Sequence, residues 1–119
     1  MKILIADDAA FMRMRLKKLL EQEGYEVVEA ANGEEAVAQY VEHNPSAVLM
    51  DITMPEMDGV AATRAICQRD PKARVIIVSA LGQQAMIVSA IKAGALDFVV
   101  KPYEPARVMQ ALSKWASAQ

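Results

Sequence analysis

Five short apolar runs punctuate the chain: Lys2 to Ala6, Tyr25 to Ala30, Ala47 to Met50, Arg74 to Ser79 and Leu96 to Val100. They alternate with five longer stretches in which apolar residues recur every three or four positions. The short runs have the length of strands and the longer ones the period of helices, so the alternation predicts an α/β domain on a parallel sheet. Runs three to five contain Ala-Val-Leu-Met, Val-Ile-Ile-Val and Phe-Val-Val with no polar alternate, as expected of strands that helices cover on both faces. The second run carries Glu26 and Glu29 and reads as an edge.

The helical stretches carry their own boundaries. The first places Met12, Leu16, Leu19 and Leu20 on one stripe opposite Arg13, Lys17, Lys18 and Glu21, and Gly24 stands where a left-handed terminal residue belongs. The second opens at Asn32-Gly33 with Glu34 and Glu35 in its first turn, turns Val37, Tyr40 and Val41 inward, and stops at Asn44-Pro45. The third spans Gly59 to Arg69 and ends at Asp70-Pro71; the fourth spans Gln84 to Ala93, before Gly94. The fifth opens at Pro105 and turns Val108, Leu112 and Trp115 inward. With no linker or low-complexity segment, residues 1–119 read as one domain.

That length buries roughly two-thirds of the unfolded surface, enough for an ordinary core. Fifteen acids against 13 Lys and Arg, with no basic run, argue against nucleic acid and anionic membranes as partners. The single Cys67 makes no intrachain disulfide and has no second Cys or His beside it, so it reads as packing. The stretch from Met1 to Asp8 is too short for a signal peptide or a membrane span, and the expected compartment is the cytoplasm.

In open parallel sheets, chemistry collects beyond the carboxyl ends of the strands. Strand one runs into Asp7-Asp8, strand three into Asp51, strand four ends at Ser79 and strand five runs into Lys101-Pro102. Only strand two, ending in Ala30-Ala31, is silent, and it already reads as the edge. Placing it outside strand one gives a doubly wound five-stranded sheet of order 2-1-3-4-5. That order is adopted from flavodoxin-like sheets, for which it is established, rather than derived. Asp7, Asp8 and Asp51 then converge at the switch point between strands one and three.

Two like charges about 4 Å apart repel by about 4 kcal/mol at an effective dielectric near 20, so three carboxylates need cations or raised pKa values. Lys101 supplies one positive charge. A hard divalent cation supplies the rest, and a site with two carboxylates, a carbonyl and room for water suits Mg²⁺ better than Ca²⁺. A carboxylate beside such a cation is also a nucleophile toward phosphorus, with Lys101 and the Ser79 hydroxyl placed to hold the transferred oxygens. Each residue alone has a plainer reading: Asp7-Asp8 a solvated loop or helix cap, Asp51 a cap, Ser79 a local backbone bond, Lys101-Pro102 a turn. Their joint placement at four strand ends favours the chemical one.

These motifs, Asp7-Asp8, Asp51-Ile-Thr-Met-Pro-Glu-Met-Asp-Gly59, Ser79-Ala80 and Lys101-Pro102, resemble the receiver domains of two-component response regulators over essentially the whole chain. The stretches Asp8-Ala-Ala-Phe-Met-Arg-Met14, Gly82-Gln-Gln-Ala-Met86 and Ala90-Ile-Lys-Ala-Gly94 are similar to its single-domain chemotaxis members. The resemblance implies that Asp51 accepts a phosphoryl group from a sensor histidine kinase. It implies that Asp8 and Asp51 bind Mg²⁺ through carboxylates and Thr53 through its backbone carbonyl, Asp7 acting through a water. It further implies that Lys101 pairs with the phosphoryl group, that Ala80 leaves room for it, and that the Lys101-Pro102 bond is cis. Ser79 and Phe98 take the switch positions, Phe98 where many chemotaxis members carry Tyr; inward packing is still expected of it.

The fourth helix adds an anomaly. Of Ala85 to Ala93 only Ser89 and Lys92 are polar, although the fold covers one side of a helix. Met86, Ile87 and Ile91, with Phe98 beside them, therefore read as a docking face. In the resembling family the surface of helix four, strand five and helix five binds output partners, here expected to include the flagellar motor switch, while a phosphatase would clear the signal. The expected state is a monomer, and the expected role is signalling rather than metabolic catalysis. A phosphorelay intermediate or adaptor outside motility would share every pocket residue. A nucleotide or flavin site is disfavoured because Asp7-Asp8-Ala9-Ala10 lacks a phosphate-binding glycine loop. A phosphatase using Asp51 lacks the carboxylate two residues on, where Thr53 stands, and an unphosphorylated scaffold leaves a complete pocket unexplained. His43, the lone imidazole, reads as a helix C-terminal residue.

Overall fold

The apolar runs pair as β1 (Lys2–Ala6), β2 (Glu26–Ala30), β3 (Ala47–Asp51), β4 (Val75–Ser79) and β5 (Asp97–Val100) in a computed structural model that describes residues 1–116. Residues 117–119, the end of the expected domain, lie outside the described ones. Neighbouring strands are parallel, and the order is β2-β1-β3-β4-β5, as expected. Strand β2 begins one residue later than the pattern indicates because the Tyr25 N–H is taken by the Leu20 carbonyl at the end of the preceding helix. Strand β3 runs one residue further, and Asp51 pairs in register with Val78.

Between the strands lie α1 (Ala10–Gln22), α2 (Gly33–His43), α3 (Gly59–Arg69), α4 (Gln84–Ala93) and α5 (Pro105–Trp115). Alternate strand residues feed two cores. Ile3, Ile5, Leu49, Ile76 and Val78 pack with Leu16 and Leu20 of α1 and Val108 and Leu112 of α5. Leu4, Val48, Met50, Val75 and Ile77 pack with Ala36 and Tyr40 of α2, Ile66 of α3 and Ala90 of α4. The sheet is thus covered on both faces, which is why its central strands needed no polar alternate. Among the described residues no helix is long and apolar enough to cross a membrane.

Local chemistry sets the helix starts. Asn32 caps α2 by accepting the Glu35 N–H through Oδ1 at 2.8 Å, and Glu35 Oε1 accepts the N–H of Ala31, just ahead of the cap, at 2.9 Å. Asp58 caps α3 by accepting the Ala61 N–H at 2.8 Å. The inward assignment of Val41 is corrected: it is 53% exposed, because Ala36, Val37 and Tyr40 already span the covered stripe of α2.

Candidate functional site

The sheet order reverses between β1 and β3, and there the chain delivers its acids. Asp7 and Asp8 follow β1 directly, and Asp51 is the last residue of β3. One carboxylate oxygen from each of Asp7, Asp8 and Asp51 lies within 4.8 Å of the others. Asp7 and Asp51 are buried, at 3% and 8% exposure, whereas Asp8 faces solvent. Backbone geometry fixes the buried pair: Asp7 Oδ1 accepts the Ala9 N–H at 2.9 Å, and Asp51 Oδ1 accepts the Ile52 N–H at 3.0 Å.

Lys101 reaches this cluster from the end of β5. Its Nζ lies 3.5 Å from Asp7 Oδ2 and 3.5 Å from Asp51 Oδ2. Its backbone N–H donates to the Ser79 carbonyl at 2.7 Å, tying the ends of β4 and β5, and the Lys101–Pro102 bond is cis. Burial pushes the Asp51 carboxyl up to about 6; Lys101 pulls against it, and the charge of Asp7 adds to the rise. One ammonium among three carboxylates leaves negative charge uncompensated, and the donors are all oxygen. That set fits a hard divalent cation.

Ser79 is wholly buried, and its Oγ has no hydrogen-bond partner among the described residues. Buried hydroxyls are ordinarily paired, so this one is in want of a partner that the described residues do not supply. Gly59 sets the other wall: its N–H donates to the Ile52 carbonyl at 2.7 Å, and a Cβ there would overlap the Asp51 carbonyl. Only glycine lets the start of α3 approach the backbone that carries Asp51 this closely.

Thr53 sits exposed two residues beyond Asp51, in the loop that leads to α3. Its hydroxyl accepts a hydrogen bond at 3.0 Å from Gln83 Nε2, a residue that sequence reasoning missed. The only signal for it was a side chain bearing both a donor and an acceptor just past Ser79-Ala80. Arg13 was also missed in this setting: it donates to the Asp7 carbonyl at 2.6 Å and pairs with Glu29 of β2 at 3.2 Å.

On the far side of the β4–α4 loop, Met86, Ile91 and Phe98 are 36%, 43% and 41% exposed. Phe98 is therefore not packed inward, contrary to the expectation for that position. Ile87 is half-buried against the core shared with Ala90, and Val88, at 51% exposure, takes the outward place beside Ile91. Leu81, Ile87, Val88, Ile91 and Phe98 line an open, mostly apolar groove of about 600 Å³. His43 stands in the last turn of α2, its Nε2 3.9 Å from Glu42 Oε2, and takes no part in the carboxylate cluster.

The model of the response regulator receiver domain matches residues 3–113. The chemotaxis protein CheY of Thermotoga maritima is 58% identical over 114 residues, 95% of each chain, and that of Bacillus subtilis is 57% identical over the same shares. Among solved structures, the response regulator domain of Thermotoga maritima CheB superimposes with a TM-score of 0.89 at 32% identity, covering 100% of this chain and 98% of that one. A CheX–CheY–BeF3–Mg²⁺ complex from Borrelia burgdorferi gives 0.88 at 40% identity, covering 95% of this chain and 87% of that one. With the fold, the strand-end acids and these relatives in agreement, the chain belongs to the response regulator receiver domain family.

Proposed function

We propose that this protein is a chemotaxis response regulator that accepts a phosphoryl group on Asp51 in a Mg²⁺-dependent reaction. The observation that carries the reading is the grouping around one buried carboxylate: Lys101 Nζ at 3.5 Å, Asp7 and Asp8 within metal-sharing distance, and the unpartnered hydroxyl of Ser79 at the neighbouring strand end. CheY relatives more than half identical over 95% of both chains support the pathway, and a relative crystallised with BeF3 and Mg²⁺ supports the cofactor.

Asp51 would act as an ionised nucleophile. One of its oxygens forms a bond to phosphorus as the bond to the donor's leaving group breaks, and the leaving group departs with the electron pair. Asp51 has no proton to lose above a pKa of about 6, so the attack needs no general base. Lys101 supplies positive charge to the incoming oxygens, and the Ser79 hydroxyl donates to one of them, which satisfies it. Asp8 and Asp51, with the Thr53 carbonyl, would hold Mg²⁺, and Asp7 would act through a water. Bound there, Mg²⁺ neutralises charge on the transferred group. The donor in the cell is a histidine kinase. The output partner, in this reading the flagellar motor switch, docks on the exposed apolar groups of α4 and β5, with clearance by a phosphatase. The protein is a signalling monomer of the cytoplasm rather than a metabolic enzyme.

Incubation with acetyl phosphate and Mg²⁺ tests the assignment. Mass spectrometry is expected to find one added phosphoryl group on the parent and none on Asp51→Asn. Equal labelling of the two would remove Asp51 from its role.

A further inference from the structure

One side chain ties together the two loops that flank Asp51. Gln83, half-buried ahead of α4, accepts the Ala80 N–H through Oε1 at 2.7 Å and donates from Nε2 to Thr53 Oγ1 at 3.0 Å. Its own carbonyl accepts the N–H of Ile87 in the first turn of α4 at 3.0 Å. Both ends of the amide are thus committed, one to the β4–α4 loop and one to the β3–α3 loop. The residue also begins the helix that carries Met86, Val88 and Ile91.

We propose that Gln83 is a positioning residue that clasps these loops in the resting chain and restrains phosphoryl transfer to Asp51. The inference rests on Asp51 being the phosphoacceptor. A phosphoryl group brings strongly accepting oxygens to the place where Ser79 has a buried, unpartnered hydroxyl. The Ala80 N–H, one peptide further, is the next donor along that strand end, and the resting chain has already given it to Gln83. A charged phosphoryl oxygen is a stronger acceptor than a neutral amide and displaces it. Loss of the Ala80 bond frees the Gln83 amide, the Thr53 contact loosens, and the first turn of α4 loses its anchor to the β3–α3 loop. The clasp therefore slows the transfer and couples its completion to α4.

The test is a double-mutant cycle on Gln83→Ala and Thr53→Val, with the initial rate of Asp51 phosphorylation by acetyl phosphate read by mass spectrometry at several Mg²⁺ concentrations. Gln83→Ala is expected to raise the rate roughly fivefold, the worth of one ordinary hydrogen bond. The Mg²⁺ concentration for half-maximal rate should stay where it is in the parent. Thr53→Val, which keeps the backbone carbonyl, should shift the rate in the same direction, and the double variant should be no faster than the faster single one. A merely structural glutamine would lower the melting temperature and leave these rates alone. Rates within twofold of the parent, slower rates, or independent multiplicative effects would overturn the clasp. Should Gln83→Ala not fold, the Thr53→Val rate decides by the same criteria. A parent that takes no label at Asp51 overturns the phosphoacceptor reading and the clasp with it, whereas a labelled parent with unresponsive variants overturns the clasp alone.

Discussion

Asp51 carries a charge in a place that disfavours it, 8% exposed and beside a second buried carboxylate. Its carboxyl is pushed up to about 6 from 3.8, first by burial. Between about pH 4 and pH 6 the folded chain therefore holds a proton that the unfolded chain has released, so stability falls as pH rises through that interval and is level above it. Asp51→Asn has no such proton to lose. In the presence of a chelator, denaturant midpoints for parent and variant are expected to be similar near pH 4 and to favour the variant near pH 8. A parent as stable as the variant at the higher pH would mean that the Lys101 pair fully offsets the burial. The sequence exposed Asp51, Asp7, Asp8 and Lys101 because each abuts an apolar run and the run's end can be read. It hid the Gln83 contacts, because which loop amide meets which hydroxyl depends on backbone paths that no periodicity encodes.

Helix α4 was legible in extent, Gln84–Ala93 in both readings, but not in orientation. A stretch with apolar groups nearly all round gives the 3.6-residue period nothing to select, so the pattern does not separate Ile87, which is half-buried and still lines the groove, from its more exposed neighbours. In the fold, Ala90 is the buried anchor and Ile87, one turn earlier on the same stripe, packs beside it, which leaves Met86, Val88 and Ile91 outward. The docking-face test therefore belongs on Val88. Val88→Glu is expected to leave folding and phosphorylation by acetyl phosphate unchanged while weakening binding of the phosphorylated chain to its output protein by roughly tenfold, about 1.4 kcal/mol. An unchanged dissociation constant in a calorimetric titration would move the docking surface elsewhere. Ile87→Glu is the less informative variant, because it also places a charge against the core. The Val41 reversal has the same origin: two stripes of α2 are apolar enough to face the sheet, and tertiary packing chose Ala36 and Tyr40.

Across the whole molecule, charge and stability meet at one end of the sheet. The net charge is −2, yet without Asp7, Asp8 and Asp51 the chain carries 12 acidic residues against 13 basic ones. Its acidity is thus concentrated where Lys101 supplies, among the described residues, the one ammonium in contact with the buried pair. A divalent cation bound by the folded chain and not by the unfolded one stabilises it by about 2.7 kcal/mol at a hundredfold excess over the dissociation constant. For a chain of this size that corresponds to roughly 10 °C in melting temperature. The melting temperature of the parent is therefore expected to climb with the logarithm of Mg²⁺ concentration and to return when a chelator is added. Asp8→Asn makes the sharper control, because Asp8 is exposed and its loss leaves both cores intact; it should fold normally and lose most of the rise. If sodium chloride at matched ionic strength raised the melting temperature as far, the effect would be screening of the acidic cluster, and the three carboxylates would hold no metal of their own.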